Sequence, residues 1–292
     1  MIEELSNICE TKKDEKISNT FKLKSTCFAM IKPSTIDELI KAIELLKQYK
    51  KKYLVLGNSS NVILPAYYDG VVINLNNFNK YEIHEDYVEV DSGVQISMIS
   101  NKLVNLGYSG LDFACGIPGT IGGSVYGNAG CYGSSISEVL MSAKVFDGKK
   151  VIELTNEEIG FEYRGSLFKR DKKKKYVILS CKFKIFKSNK EELEALVKER
   201  IEKRIASQDL THPSNGSVFR NPEGFAAGKL IDDLGLKGYS VNDAMVSLKH
   251  ANFIINNGNA TNEDIIKLIN YLKKKVKKSY NIDLVLEQEI IK

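Results

Sequence analysis

Residues Gly110–Gly133, reading GLDFACGIPGTIGGSVYGNAGCYG, carry eight glycines and one proline in twenty-four positions. Helices and strands are weakened at such a density, so the stretch reads as a loop. Glycine has no Cβ. It tolerates positive φ and lets another group approach its N–H, and successive turns of this kind present donors that cradle a phosphate or pyrophosphate. Structureless loops of this length are uncommon in compact domains unless they serve a function. A Rossmann site needs GxGxxG directly between a strand and a helix, with an acidic residue about 20 positions later. Here the nearest match, GIPGTIGG at 116–123, has a proline in the turn and a long glycine-rich tail. Those features suit a loop wrapped along a pyrophosphate better than a helix start.

Working outward, YLVLGNSSNVIL at 53–64 places Gly57, Asn58, Ser59, Ser60 and Asn61 just after an apolar run that reads as a strand. Small side chains and hydroxyls in that position are available to a phosphate. VVINL at 71–75 and YVEV at 87–90 read as further strands, VFDGKKVIEL as a hairpin around Asp147 and Gly148, and YVILSCKFKIF as a strand. Thr35 with Glu38 and Ser188 with Glu191 form capping-box pairs ahead of helical periodicities. After residue 206 the turn-rich THPSNGSVFRNPEG leads into two helical patterns, around Leu230, Ile231 and Leu234 and around Ile265, Leu268, Ile269, Leu272 and Val276. Short strands, AMVSL and NFIIN, lie between them.

The chain has 292 residues, room for two or three domains, with 43% hydrophobic and 27% charged residues. Its N-terminus, MIEELSNICETKKDEK, is too polar for a signal peptide and no run is apolar enough for a membrane span, so the expected location is cytoplasmic, away from any membrane. Cys9, Cys27, Cys115, Cys131 and Cys181 are odd in number and widely spaced, which argues for reduced thiols. The net charge of +5 is concentrated in Lys172–Lys175 and in Lys273, Lys274, Lys275, Lys277 and Lys278. Without interleaved aromatics these runs read as a solvated loop and a wet helix face rather than a nucleic-acid surface. There is no Walker A lysine, HExxH motif or carboxylate cluster, so no metal site is expected.

Eight blocks, in order, are similar to the UDP-N-acetylenolpyruvoylglucosamine reductases of bacterial cell-wall synthesis. They are NTFKLKSTCFA at 19–29, LGNSSNVIL at 56–64, the glycine-rich segment, FEYRGSLFK at 161–169, NGSVFRNP at 215–222, GKLIDDLGLKGY at 228–239, KHANFIINNGNAT at 249–261 and LEQEI at 286–290. The resemblance implies an α+β protein: a two-subdomain FAD-binding fold of the vanillyl-alcohol-oxidase (PCMH) type, residues 1–78 and 79–205, followed by an α+β substrate-binding domain, 206–292. It implies FAD as cofactor, NADPH as co-substrate, a monomer, and reduction of an enolpyruvyl UDP-sugar for peptidoglycan. By the same matching, Arg164 would pair with the substrate carboxylate, Ser217 would deliver a proton, and Glu289 would polarise the carboxylate or relay protons. Gly57, Asn58, Ser59, Ser60, Asn61, Gly116, Ile117, Pro118, Gly119, Thr120, Gly122, Gly123 and Gly130 would hold the flavin. Tyr163, Asn221, Lys237 and His250 would contact the nucleotide-sugar.

The chain resembles the shorter branch of the family, since only about 50 residues separate Arg164 from Ser217, too few for an extra tyrosine-bearing loop. It departs from the family pattern in VNDA at 241–244, in Leu248 and in Ser59. Two rival readings stay open at this level: a diverged binding paralogue without turnover, and a flavin oxidase acting on another substrate. The second would be favoured by covalent flavin attachment, for which Cys115 and Cys131 are the thiols in the loop.

Overall fold

The computed structural model describes residues 1–171 and 173–292; Lys172, the first of its lysine run, lies outside the described residues. The chain forms two compact units. The first comprises 1–14, 28–58 and 69–201, the second 15–27, 59–68 and 202–292.

The first unit carries two sheets. In one, the strand order is Glu10–Lys13, Thr26–Lys32, Tyr67–Asn74, Tyr53–Leu56, the last pair parallel. The helix Ile36–Gln48 covers it with Leu39, Ala42, Ile43 and Leu46, all fully buried and spaced on one helical face. Thr35 caps this helix by accepting from the Glu38 amide at 3.1 Å. The Glu38 carboxylate reaches one residue further back than a capping box requires, to the Ser34 amide. In the other sheet, five antiparallel strands run in the order Val151–Thr155, Leu140–Phe146, Val177–Lys184, Tyr87–Asp91, Tyr81–Ile83. Their inward residues join Ile96, Ile99 and Leu103 of the helix Ile96–Asn105 and Ile121 and Val125 of the glycine-rich segment in one apolar core.

That segment is not wholly loop. Thr120 is the N-cap of a short helix, Ile121–Tyr126, and its hydroxyl accepts from the Gly123 amide. Two glycines inside this helix are carried because Ile121, Ser124 and Val125 are buried, so tertiary packing overrides the poor propensity. The helix Lys190–Ser207 begins two residues later than its Ser188 signal, because Asn189 supplies the capping oxygen, to the Glu192 amide at 3.0 Å.

The second unit is a four-stranded antiparallel sheet, Ser214–Ser217, Phe253–Asn256, Ala244–Val246, Ser240–Val241, with helices Ala227–Asp233 and Asn262–Tyr280. Thr261 and Asp264 form a full capping box at the start of the long helix, and Asn281, at φ +56°, ends it. Ile265, Leu268, Ile269, Leu272 and Val276 recur at helical spacing and are all buried, each worth about 1.5–3 kcal/mol. Lys274, Lys275, Lys277 and Lys278 occupy its exposed face. Val62–Ile63 pairs in parallel with Glu289–Ile290. Among the described residues, no helix is long and apolar enough to cross a membrane.

Candidate functional site

In the first unit the two glycine turns come together. Asn58 donates from Nδ2 to the Pro118 carbonyl at 3.0 Å. A Cβ on Gly57 would lie 2.3 Å from the Thr120 hydroxyl, so only glycine fits there. The Gly116–Gly123 segment is tied to the end of the Tyr87–Asp91 strand by Gly122 N to Ser92 O at 2.9 Å and Ile121 N to Val94 O at 2.9 Å. A Cβ on Gly122 would press to 3.1 Å from Ser92 Cβ, while one on Gly123 would meet nothing nearer than Thr120 Oγ1 at 3.5 Å. The Ser92 and Ser124 hydroxyls are buried here without a protein partner. Close backbone, small residues and spare hydroxyls are what a dinucleotide pyrophosphate needs, so these residues fit FAD.

The flavin candidates divide between the units at residue 59: Ser59, Ser60 and Asn61 belong to the second. Ser59 takes a left-handed φ of +51°. Asn61 grips the Glu289 strand: its Nδ2 donates to Glu287 O at 3.2 Å, and its carbonyl accepts from the Glu289 amide at 3.0 Å.

Arg164 is the third of the four residues of a tight turn closed by reciprocal Glu162 and Gly165 amide bonds, with φ +56°. A left-handed arginine is strained by about 1–2 kcal/mol and persists where its surroundings hold it. Its Nη2 donates to Gly130 O at 2.7 Å and its Nη1 to Asn128 O at 3.5 Å. Asn128 in turn donates to Glu162 O at 2.9 Å, closing the circuit between the Arg164 turn and the Gly130–Ser135 hairpin. Tyr163 is exposed beside it, with the guanidinium 5.2 Å from its ring centre.

In the second unit, Ser217 ends the Ser214–Ser217 strand after a bulge at Gly216, φ +72°. Buried Gln288 donates from Nε2 to both Gly216 O and Ser217 O, at 3.2 and 3.3 Å. Because Glu289 is the next residue, one amide side chain fixes the Ser217 backbone against the Glu289 strand. Asn215 strengthens the same brace: its Nδ2 donates to Val62 O at 2.7 Å, Val62 pairs with Glu289, and Thr20 donates to its Oδ1. Neither Gln288 nor Asn215 is marked by the sequence beyond its place in the LEQEI and NGSVFRNP blocks.

Of the nucleotide-sugar candidates, Asn221 accepts from the Ala227 amide at the start of the Ala227–Asp233 helix, and Lys237 pairs with Asp232 at 2.7 Å. His250 packs at 4.4 Å on the Phe253 ring, and its Nδ1 accepts from the Asn252 amide. Burial, with the Lys237 charge adding to it, holds its pKa below the ordinary value. The imidazole is therefore neutral near pH 7, with its proton on Nε2.

Asp209 anchors the entry to the Ser217 strand. It accepts from the His212 and Thr211 amides and the Thr211 hydroxyl, meets His212 Nδ1 at 3.0 Å, and accepts from Ser247 at 3.2 Å in the turn before His250. Burial pushes its carboxyl up, but the bonds from His212 and Thr211 together outweigh that and bring it down to about 2. An acid depressed from 3.8 stabilises the fold fully above its unfolded value and loses that contribution as pH falls toward about 2. Asp209→Asn is expected to lower unfolding free energy by about 2 kcal/mol at pH 6, with the gap closing between about pH 4 and 2. Urea melts of both proteins across that range check it; a gap independent of pH would exclude the ionised form.

Cys9, Cys27, Cys115 and Cys181 are buried, and none of the five cysteines is in a disulfide. Burial and the neighbouring Asp112 push the Cys115 thiol up to about 11, so it stays protonated and is a poor nucleophile. No group of His, Cys, Asp and Glu able to hold a metal occurs among the described residues.

An FAD binding domain model matches residues 28–153, and the model of the UDP-N-acetylenolpyruvoylglucosamine reductase C-terminal domain matches 208–291. A solved plant structure, Physcomitrella patens BBE-like 1, superimposes with a TM-score of 0.51 at 13% identity over 64% of this chain and 44% of its own, a likeness of fold alone. The FAD binding domain and the matched C-terminal domain thus define an FAD-dependent oxidoreductase with an α+β fold. Curated UDP-N-acetylenolpyruvoylglucosamine reductases of Clostridium novyi and Pseudothermotoga lettingae are 38% and 37% identical, over 93% and 97% of this chain and 88% and 99% of their own. The crystal structure of the Thermus caldophilus UDP-N-acetylenolpyruvylglucosamine reductase gives a TM-score of 0.82 at 30% identity, covering 97% of this chain and 99% of that one. The chain belongs to the UDP-N-acetylenolpyruvoylglucosamine reductase family.

Proposed function

We propose that this chain reduces UDP-N-acetylglucosamine enolpyruvate to UDP-N-acetylmuramate, at the expense of NADPH, in the cytoplasmic stage of peptidoglycan synthesis. FAD, held by the glycine turns, would supply the hydride chemistry that no side chain can, delivering the reducing equivalents of NADPH to the outer carbon of the enolpyruvyl double bond. That addition places negative charge on the carboxylate side of the substrate. Arg164, with a guanidinium fork suited to a carboxylate, holds the group and stabilises the developing enolate. Ser217 then protonates the inner carbon from its hydroxyl; an enolate carbon needs a well-placed donor more than a strong acid. Glu289 polarises the carboxylate or returns a proton to the serine.

Residues 1–78 and 79–205 would divide flavin binding between them through the two glycine turns and Gly130, and 206–292 would bind the nucleotide-sugar. In that domain the neutral His250 would offer an Nε2 donor, Lys237 a charge for the diphosphate and Asn221 a further contact, with Tyr163 contributing from 79–205. The protein would act as a monomer.

The observation that carries the reading is the Gln288 brace, which ties the backbone of Ser217 to the residue beside Glu289. The test is anaerobic. The purified protein is reduced with NADPH, UDP-N-acetylglucosamine enolpyruvate is added, and the visible flavin band is followed. Return of the oxidised spectrum with UDP-N-acetylmuramate formed is expected. A yellow protein that NADPH reduces but the enolpyruvyl sugar leaves reduced would make it an oxidoreductase of another substrate.

A further inference from the structure

The Gly130–Cys131 and Ser134–Ser135 hairpin does more than supply a carbonyl to Arg164. Its tip residue, Tyr132, has φ +56°, a conformation that disfavours a bulky side chain, and it is followed by Gly133 at φ +83°. Tyr132 donates its hydroxyl to the backbone carbonyl of Arg200, at 2.7 Å, and the Arg200 guanidinium lies 5.2 Å from its ring centre. The same guanidinium is paired with Asp112 at 2.6 Å, both side chains less than a fifth exposed. Asp112 also accepts from the Gly110 amide, fixing the first turn of the glycine-rich segment.

Arg200 therefore joins both ends of that segment, Asp112 near its start and Tyr132 near its close, to one helix. The helix is itself seated one turn earlier, where Leu193 and Val197 pack against Val104 and Cys115. From the tip the coupling runs down the hairpin to Gly130, whose carbonyl accepts from Arg164 at 2.7 Å. Left-handed backbone at Tyr132 and at Arg164 thus lies at opposite ends of one short path, two residues of hairpin backbone and the Gly130–Arg164 hydrogen bond.

We propose that Tyr132, Arg200 and Asp112 form a clasp that positions Arg164 for the substrate carboxylate. They act through Arg164 and need not touch the substrate. The inference rests on the role given to Arg164 above, and its test separates the two.

The readout is the ability of the oxidised, FAD-loaded, full-length protein to tell a carboxylate from its absence. UDP-N-acetylmuramate carries the lactyl carboxylate and UDP-N-acetylglucosamine does not, and binding of each is followed by perturbation of the flavin absorbance. The native protein prefers UDP-N-acetylmuramate, and Arg164→Met removes the preference. Tyr132→Phe and Arg200→Met each weaken UDP-N-acetylmuramate binding by about tenfold and leave UDP-N-acetylglucosamine binding unchanged, since a sub-ångström shift of a positioned group suffices for such a loss. Arg200→Lys, which keeps the Asp112 pair, restores part of it. Combining Tyr132→Phe with Arg164→Met costs no more than Arg164→Met alone. If Arg164→Met abolishes the preference but Tyr132→Phe keeps it in full, or if the two losses add, the clasp is overturned and Arg164 keeps its role. If Arg164→Met itself keeps the preference, the role of Arg164 falls and the clasp with it.

Discussion

Ser217→Ala is expected to leave the NADPH-reduced protein stable in the presence of the enolpyruvyl sugar, with reoxidation slowed by about 10²- to 10⁴-fold, the range for loss of a positioned proton donor. Reduction by NADPH should proceed as in the native protein, because that half-reaction needs no proton at the sugar. The substitution is clean. Ser217 is held by backbone groups, through its pairing with Phe253 and its carbonyl bond from Gln288, and none of these uses the hydroxyl. Stopped-flow absorbance resolves the two half-reactions, and solvent deuterium incorporated at the inner carbon reports the proton itself. Reoxidation within a few-fold of the native rate would remove Ser217 from the chemistry and leave Glu289 or a water as donor.

Gly130→Ala is the second large effect expected. A Cβ there would lie 2.6 Å from Ser134 O and 2.9 Å from both Ser135 Cβ and Arg164 Nη1. Two of these atoms belong to the facing strand of the hairpin, so the clash is not relieved by turning a flexible side chain. Overpacking of this kind costs about 1–3 kcal/mol in stability. The larger consequence falls on Arg164, which must leave Gly130 O or move with it; in the role proposed for it, a shift near 1 Å costs on the order of 100-fold in rate. kcat/KM for the enolpyruvyl sugar should fall by about that factor, with a smaller fall in thermal midpoint. A variant whose kcat/KM stays within threefold of native would show that the hairpin does not set the guanidinium.

The sequence was most legible where one local rule decides. Thr35 caps a helix, Asp147 and Gly148 turn a hairpin, and the apolar runs at 53–56, 71–75 and 87–90 form strands. It was least legible where distant residues decide. Nothing local makes Ile121–Tyr126 a helix; burial of Ile121 and Val125 in the core of the five-stranded sheet does. Ser188 with Glu191 reads as the capping pair, yet the Ser188 amide bonds the Gly107 carbonyl and Asn189, the next residue, supplies the capping oxygen. The site shows the same division. The candidates Arg164, Ser217 and Glu289 carry side chains whose chemistry singles them out, whereas the amides that brace the second unit stand in the same blocks with nothing local to mark them. Gln288, Asn215, Asn252 and Asn256 are buried amides whose partners lie far off in sequence: Asn252 bonds both the amide and the carbonyl of Phe219, and Asn256 reaches Phe21 O.

The second unit draws on stretches 15–27 and 59–68 as well as 202–292. On a ribosome adding 5–20 residues per second, Val62 emerges roughly 10–45 s before the Glu289 strand that pairs with it. Throughout that interval Phe21 and Ile63, both buried in the finished core, face water or whatever protein meets them first. The yield of active protein in a cell should therefore be set less by the stability of the folded state than by how well these early segments are sheltered during synthesis. Slower elongation, by lengthening the wait, should harm this chain where it helps proteins whose domains are laid down in order.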